Sequence, residues 1–244
     1  VADYQGQKTS GISASPESGD REAINYFQAL FSTRNADLYG WSQLHTYPSS
    51  LELFRQNDPA NQIYFIERGI VKVSCAVAGG EEVIIGLRRR NCLLGVTQVI
   101  FDNVYSVTAT TLTRCSMRCI NAKEFMGQLT TDIALSVELN RMLSREIRRN
   151  LEKITTLGCM SATERLRCFL RELVSEEDLD ELRKKGKLEL PLRSYELAEI
   201  IAVTPQHLCR VLKNPELRPH LKQSKRILTI IDPLAFMHED CSKS

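Results

Sequence analysis

The chain has 244 residues, 43% hydrophobic and 25% charged, with 32 Lys and Arg against 30 Asp and Glu. At about 150 residues per domain, this length fits one large domain or two modest ones, and the apolar content excludes global disorder. The net charge of +2 argues on its face against a nucleic-acid partner, but a total does not show where the charge lies.

No run of 18 apolar residues is present, so no transmembrane helix is expected. Residues 1–20 are polar, rich in Ser and Gly, and lack the apolar segment of a secretory signal; they read as a flexible tail. The eight cysteines are scattered with no CxxC pair, which fits reduced thiols in a cytoplasmic protein. No metal site is expected from that spacing.

Residues 21–31 carry Ile24, Phe27, Leu30 and Phe31 at helical spacing. From about Ser42 to Ile120 the pattern becomes one of strands. IYFIERGIVKVSCAV is broken by Gly69, a hairpin turn is expected at Gly79-Gly80, and a second turn at Arg90-Asn91. VYSVTATTLTRCSMRCI is a further β-rich stretch, so a small barrel or sandwich is expected here.

The period then changes. Thr131 to Leu157 contains neither Gly nor Pro, and Leu139, Leu143, Ile147, Leu151, Ile154 and Leu157 follow one another at spacings of 4, 4, 4, 3 and 3. That narrow seam predicts a long helix of about 40 Å, better suited to dimerisation than to the inside of one small domain. Gly158 is expected to stop it, and Ser161 to Glu164 to start another helix. The charged run 175–187 reads as a solvated connection.

Residues 193–213, RSYELAEIIAVTPQHLCRVLK, have the pattern of a helix-turn-helix. A first helix would bury Leu197, Ile200 and Ile201, with Ala198 allowing close approach. Ala202-Val203 would turn the chain, Thr204 would cap the second helix, and Pro205 would occupy its first position. Burial of Leu208, Val211 and Leu212 would leave Gln206, His207, Arg210 and Lys213 outward, as on a recognition helix. Between Gln206 and Ile231 six basic residues stand against one acidic residue, Glu216, a local excess of five. Lys222 to Arg226 reads as a basic turn leading into a strand, suited to phosphate contacts. The candidate DNA-contacting residues are therefore Arg193, Ser194, Thr204, Gln206, His207, Arg210, Lys213, Lys225 and Arg226.

This order of elements resembles the CRP/FNR family of bacterial transcription regulators. The matching stretches are YP at 47–48, NDPANQIYFIERGIVKVS at 57–74, GGEEVIIGL at 79–87, LLG at 93–95 and the segment 193–213. The resemblance implies an α+β chain. Its parts would be an N-terminal jelly-roll-like, cupin-like β-roll sensor domain at 21–130, a dimerisation helix at 131–160 and a winged helix-turn-helix DNA-binding domain at 161–244. It further implies a homodimer on a near-palindromic double-stranded operator, with RNA polymerase as a partner and no membrane or enzymatic role.

The sequence departs from that family at several points. Asn57 and Asn91 stand where the family has glycines, and Asn tolerates left-handed backbone well. Ala202 replaces a frequent turn glycine. Arg210 matches a common family arginine able to contact guanine, and Gln206 can pair with adenine.

Cyclic-nucleotide members hold ribose and phosphate with a Gly-Glu pair and an Arg-Ser pair. Here the corresponding positions are Gly95-Val96 and Tyr105-Ser106, which with Thr97 make up the candidate effector pocket. The carboxylate and the cation are both missing, so cyclic AMP is not the expected effector. The cofactor is left open. Haem ligated by one His or Cys leaves no spacing signature, and a different small ligand or effector-independent DNA binding are alternatives. An iron–sulfur sensor is disfavoured, since the first cysteine is Cys75. An enzyme finds little support, because His45 is the only histidine before His207. A protein-interaction module is the remaining rival.

Overall fold

The computed structural model describes residues 27, 30–31, 40–101, 104–175 and 186–236. The expected tail, most of the expected first helix and residues 176–185 of the charged connection lie outside them. Two four-stranded antiparallel sheets form a jelly roll. One sheet has the order β1 (His45–Tyr47), β8 (Cys115–Asn121), β3 (Gln62–Arg68), β6 (Leu93–Leu94). The other has the order β2 (Glu52–Phe54), β7 (Thr108–Thr111), β4 (Val71–Ala76), β5 (Glu82–Arg88), which leaves β5 at an edge.

Ile63 to Ile66 of β3 are buried in succession, since the strand is covered on both faces. On one face Phe65 stacks against Phe27 at 4.7 Å, within an aromatic group that also holds Phe31, Trp41 and Phe125. Gly79 and Gly80 have positive φ in the β4–β5 hairpin, and Asn57 and Asn91 adopt left-handed φ of 71° and 64°.

A six-residue helix, α1 (Val96–Phe101), follows β6; its sequence VTQVIF is too short and too β-branched to announce a helix. After β8 come α2 (Ala122–Thr131) and α3 (Ile133–Cys159). The helix expected from Thr131 to Leu157 therefore starts two residues later. Asp132 separates α2 from α3, its backbone extended and its carboxylate capping Leu135 N–H at 3.0 Å. Gly158 does not end the helix as expected. The ladder runs through it, and the stop is Met160, followed by a capping box in which Ser161 and Glu164 bond reciprocally.

The seam residues of α3 divide between two environments. Leu139 is buried with Leu135 in the β-roll core, and Leu143 packs against that core. Ile147, Leu151, Ile154 and Leu157 remain exposed, at 60%, 59%, 67% and 48%. Glu138 is buried beside them in sequence but paired, with Arg145 Nη2 at 2.9 Å.

The C-terminal part comprises α4 (Ala162–Ser175), β9 (Leu188–Leu190), α5 (Ser194–Ile200), α6 (Pro205–Val211), β10 (Leu221–Gln223), β11 (Leu228–Ile230) and a 3-10 turn at Pro233–Phe236. Beyond the expected strand pair, β9 adds a third strand, in the order β10-β11-β9. Its three residues follow a charged run, too little sequence to show a period of two. Leu166, Leu170, Leu190, Leu197, Leu208 and Leu228 centre this core, and Ile70 and Leu112 of the β-roll are buried in it as well.

Candidate nucleic-acid interface and sensor cradle

Within residues 193–213, α5 buries Leu197 and Ala198, and Ile201 follows them inward. Ile200, expected in the core, is only half-buried. Ala202 takes a left-handed φ of 53°, and Val203 N–H then reaches back to Ala198 C=O at 2.9 Å. Thr204 Oγ1 accepts from His207 N–H at 3.2 Å, with Pro205 at the first helical position. Leu208 and Val211 point into the core and Leu212 is half-buried, so Gln206, His207, Cys209, Arg210 and Lys213 are left exposed.

Lys225 and Arg226 lie exposed in the β10–β11 turn, closed by Ser224 N–H to Ile227 C=O at 2.9 Å. Gln223 Nε2 donates to Leu192 C=O at 3.0 Å, which fastens this wing to the residue just before Arg193. Arg193 is exposed over the Tyr195 ring, whereas Ser194 is half-buried and Thr204 is used as a cap. Glu216, the one acid of the basic segment, pairs with Arg167 of α4 at 2.9 Å.

The five expected effector-pocket residues separate into two groups. Tyr105 is buried, its ring stacked on Phe54 with centroids 3.8 Å apart. Its hydroxyl donates to Gln62 C=O at 2.6 Å and accepts from Gln62 N–H at 3.2 Å. Burial pushes the phenol pKa up against the lowering effect of the Gln62 backbone, so the hydroxyl stays protonated and can donate. Gly95, at φ 82°, lies directly under this ring; a Cβ there would come 2.9 Å from Tyr105 Cε1. Val96 is buried in the core.

Thr97 and Ser106 instead line a cleft of about 400 Å³ with Gln98, Ile100, Phe101 and Leu143. Gln98 Nε2 donates to Ser106 Oγ at 3.0 Å. No charged side chain lines the cleft, so a phosphate there would have no cation to meet. Among the described residues no group of three His, Cys, Asp or Glu is placed to hold a metal ion, and no helix is long and apolar enough to cross a membrane.

Sequence reasoning missed Phe54 and Gln62, which hold Tyr105, and Glu196, whose Oε2 accepts Arg193 N–H at 2.9 Å. The signal for Glu196 is local: it stands three residues after the residue preceding the helix, where a capping carboxylate belongs. Its second partner, Lys72 Nζ at 3.0 Å, has no local signal at 124 residues' separation.

Residues 44–132 match the cyclic nucleotide-binding domain family. The chain is 27% identical to the global nitrogen regulator of Synechocystis sp. over 201 residues, 80% of this chain and 88% of that one. It is 22% identical over 171 residues to the cAMP-activated global transcriptional regulator CRP of Salmonella typhimurium, covering 70% of this chain and 80% of the other. The chain is similar to regulators of the CRP/FNR type. A CRP/FNR-family transcriptional regulator from Thermus thermophilus shares its fold, with a TM-score of 0.61 at 15% identity over 80% of this chain and 96% of that one. These sequence relatives are transcription regulators rather than enzymes, which favours the regulator reading over the enzyme alternative.

The turn of the helix-turn-helix supplies a test of stability. A non-glycine residue in left-handed backbone costs about 1–2 kcal/mol, and glycine's extra freedom when unfolded offsets about half of that. Ala202→Gly is expected to stabilise the protein by roughly 0.5–1 kcal/mol, read as a raised urea midpoint at unchanged slope.

Proposed function

We propose that this chain works in the cytoplasm as a homodimeric, sequence-specific DNA-binding transcription regulator whose cyclic-nucleotide cradle is filled by its own Tyr105. The observation that carries the reading is the outward face of α6, where Gln206, His207 and Arg210 stand free on a buried base of Leu208 and Val211. The basic wing turn adds sequence-independent attraction to phosphate. Two recognition helices set about 34 Å apart would read a near-palindromic site, with Arg210 and Gln206 suited to guanine and adenine edges. RNA polymerase is then the machinery on which the bound regulator acts.

The dimer reading rests on four exposed apolar residues in series, Ile147, Leu151, Ile154 and Leu157, at the end of a helix whose start is already buried. The cradle reading rests on Tyr105, which occupies the position expected of a phosphate-binding cation. A second effector reading has its own support: the uncharged cleft beside Thr97 and Ser106 has room for a small neutral ligand. Mass spectrometry and absorbance of the purified protein would detect such a ligand, or haem.

Selection of duplex sites from a random pool, followed by binding isotherms across a salt series, tests the main reading. Affinity is expected to fall steeply with salt; a flat response would favour a protein-interaction module. Arg210→Ala should lose about 1–3 kcal/mol at one base position, whereas an equal loss on every sequence would make Arg210 a phosphate contact. Leu151→Glu puts a carboxylate into the seam, so sedimentation should show a monomer and operator affinity should drop about 100-fold or more. Calorimetry with cyclic AMP is expected to show no binding, and tight binding would overturn the filled cradle.

A further inference from the structure

The first helix of the helix-turn-helix carries two carboxylates that an isolated DNA-binding domain would leave in water. Glu196 is only 5% exposed. One of its oxygens caps Arg193 N–H, and the other meets Lys72 Nζ of β4 at 3.0 Å. Lys72 is itself largely covered; burial alone would lower its pKa, but Glu196 and Glu82 more than reverse this, so the ammonium stays charged. One turn on, Glu199 Oε1 accepts the backbone N–H of Ile84 at 2.9 Å. Ile84 belongs to β5, the edge of its sheet, where no further strand can take that N–H. Nearby, Ile70 and Leu112 of the β-roll are buried in the C-terminal core, and Arg89 Nη1 donates to Glu172 C=O of α4 at 2.6 Å.

We propose that Glu196 and Glu199 are positioning residues that dock the helix-turn-helix on the β4–β5 edge of the sensor domain and so hold the recognition helix in its DNA-competent orientation without an effector. This deepens the functional reading above and rests on it. The helix α6 packs on α5 through Leu208 and Val211 against Leu197, Ala198 and Ile201, so fixing α5 fixes α6. Nothing in the docked contact uses Gln206, His207 or Arg210, which stay exposed. A DNA-binding domain released from the β-roll would populate many orientations, and apparent affinity falls by the fraction that is competent. The contact must be specific to act this way. Glu196, sealed from water, is tolerable only because both of its oxygens are used.

The test uses the full-length chain with two readouts, hydrogen exchange at the Ile84 amide and affinity for the selected duplex. Glu199→Ala should speed Ile84 exchange by about tenfold or more and weaken duplex binding by about three- to tenfold, to a similar degree on every sequence. Glu199→Gln keeps a carbonyl acceptor and should stay within about twofold of wild type in both. Lys72→Met strands the Glu196 carboxylate and should weaken binding more than Lys72→Met/Glu196→Gln, in which the charge is gone and the cap remains. Unchanged Ile84 exchange in Glu199→Ala would overturn the docking. Faster exchange with unchanged affinity would overturn the positioning role. Absence of duplex binding by the wild type would sink the functional reading alone, and the exchange data would still decide the docking.

Discussion

One unbroken hydrogen-bond ladder, the 27 residues of α3, joins everything else in the molecule. A helix of that length can bury only what its neighbours reach. Its first turns bury Leu135 and Leu139 in the β-roll core; its later turns touch the β-roll edge through Glu146 and Lys153 but leave Ile147, Leu151, Ile154 and Leu157 exposed. The same face is thus core at one end and uncovered at the other. Hydrophobic burial makes such an arrangement costly for a lone chain, at roughly 25 cal/mol for each Å² of apolar surface left in water. The division also accounts for a buried charge on this helix. Glu138 lies where the buried portion ends, and its pairing with Arg145 at 2.9 Å and Arg141 at 3.8 Å makes its burial tolerable.

The proposed filling of the cradle depends on how Tyr105 is held within the β-roll. A ligand phosphate would need a cation and a dry, polar floor. Tyr105 supplies bulk through its ring and returns the Gln62 backbone hydrogen bonds through its hydroxyl, so the space is filled and its polar groups are satisfied. Gly95 is required by its φ of 82°, and a Cβ there would come 2.9 Å from both the Gln62 carbonyl oxygen and the Tyr105 ring.

The parts of this architecture legible in the sequence are those fixed by neighbours a few residues away. The hairpin glycines, the left-handed Asn57 and Asn91, the Thr204-Pro205 cap and the seam of α3 all follow from local chemistry. Boundaries are less legible. Asp132 interrupts a run that periodicity alone makes continuous, and Gly158 stays helical because the true stop is the extended backbone at Met160. The short elements α1 and β9 have fewer residues than their own period needs to be seen. Within the candidate sites, the outward face of α6 can be read from spacing. The burial of Tyr105 cannot, because it depends on Phe54 and Gln62, which lie 51 and 43 residues away in sequence.

Side chains from outside the sheet also matter for what the β-roll presents to other molecules. An open sandwich ends in strands whose free amides and carbonyls invite a foreign strand to pair. At β5, the Ile84 amide is taken by Glu199, and the neighbouring Ile85 carbonyl lies 3.5 Å from the ammonium of Lys153 on α3. A donor and an acceptor at the open edge are therefore occupied by charged groups from two other elements of the same chain. The contact that orients one domain also guards the other against edge-to-edge self-association, so colloidal behaviour and domain geometry are bound to the same few atoms.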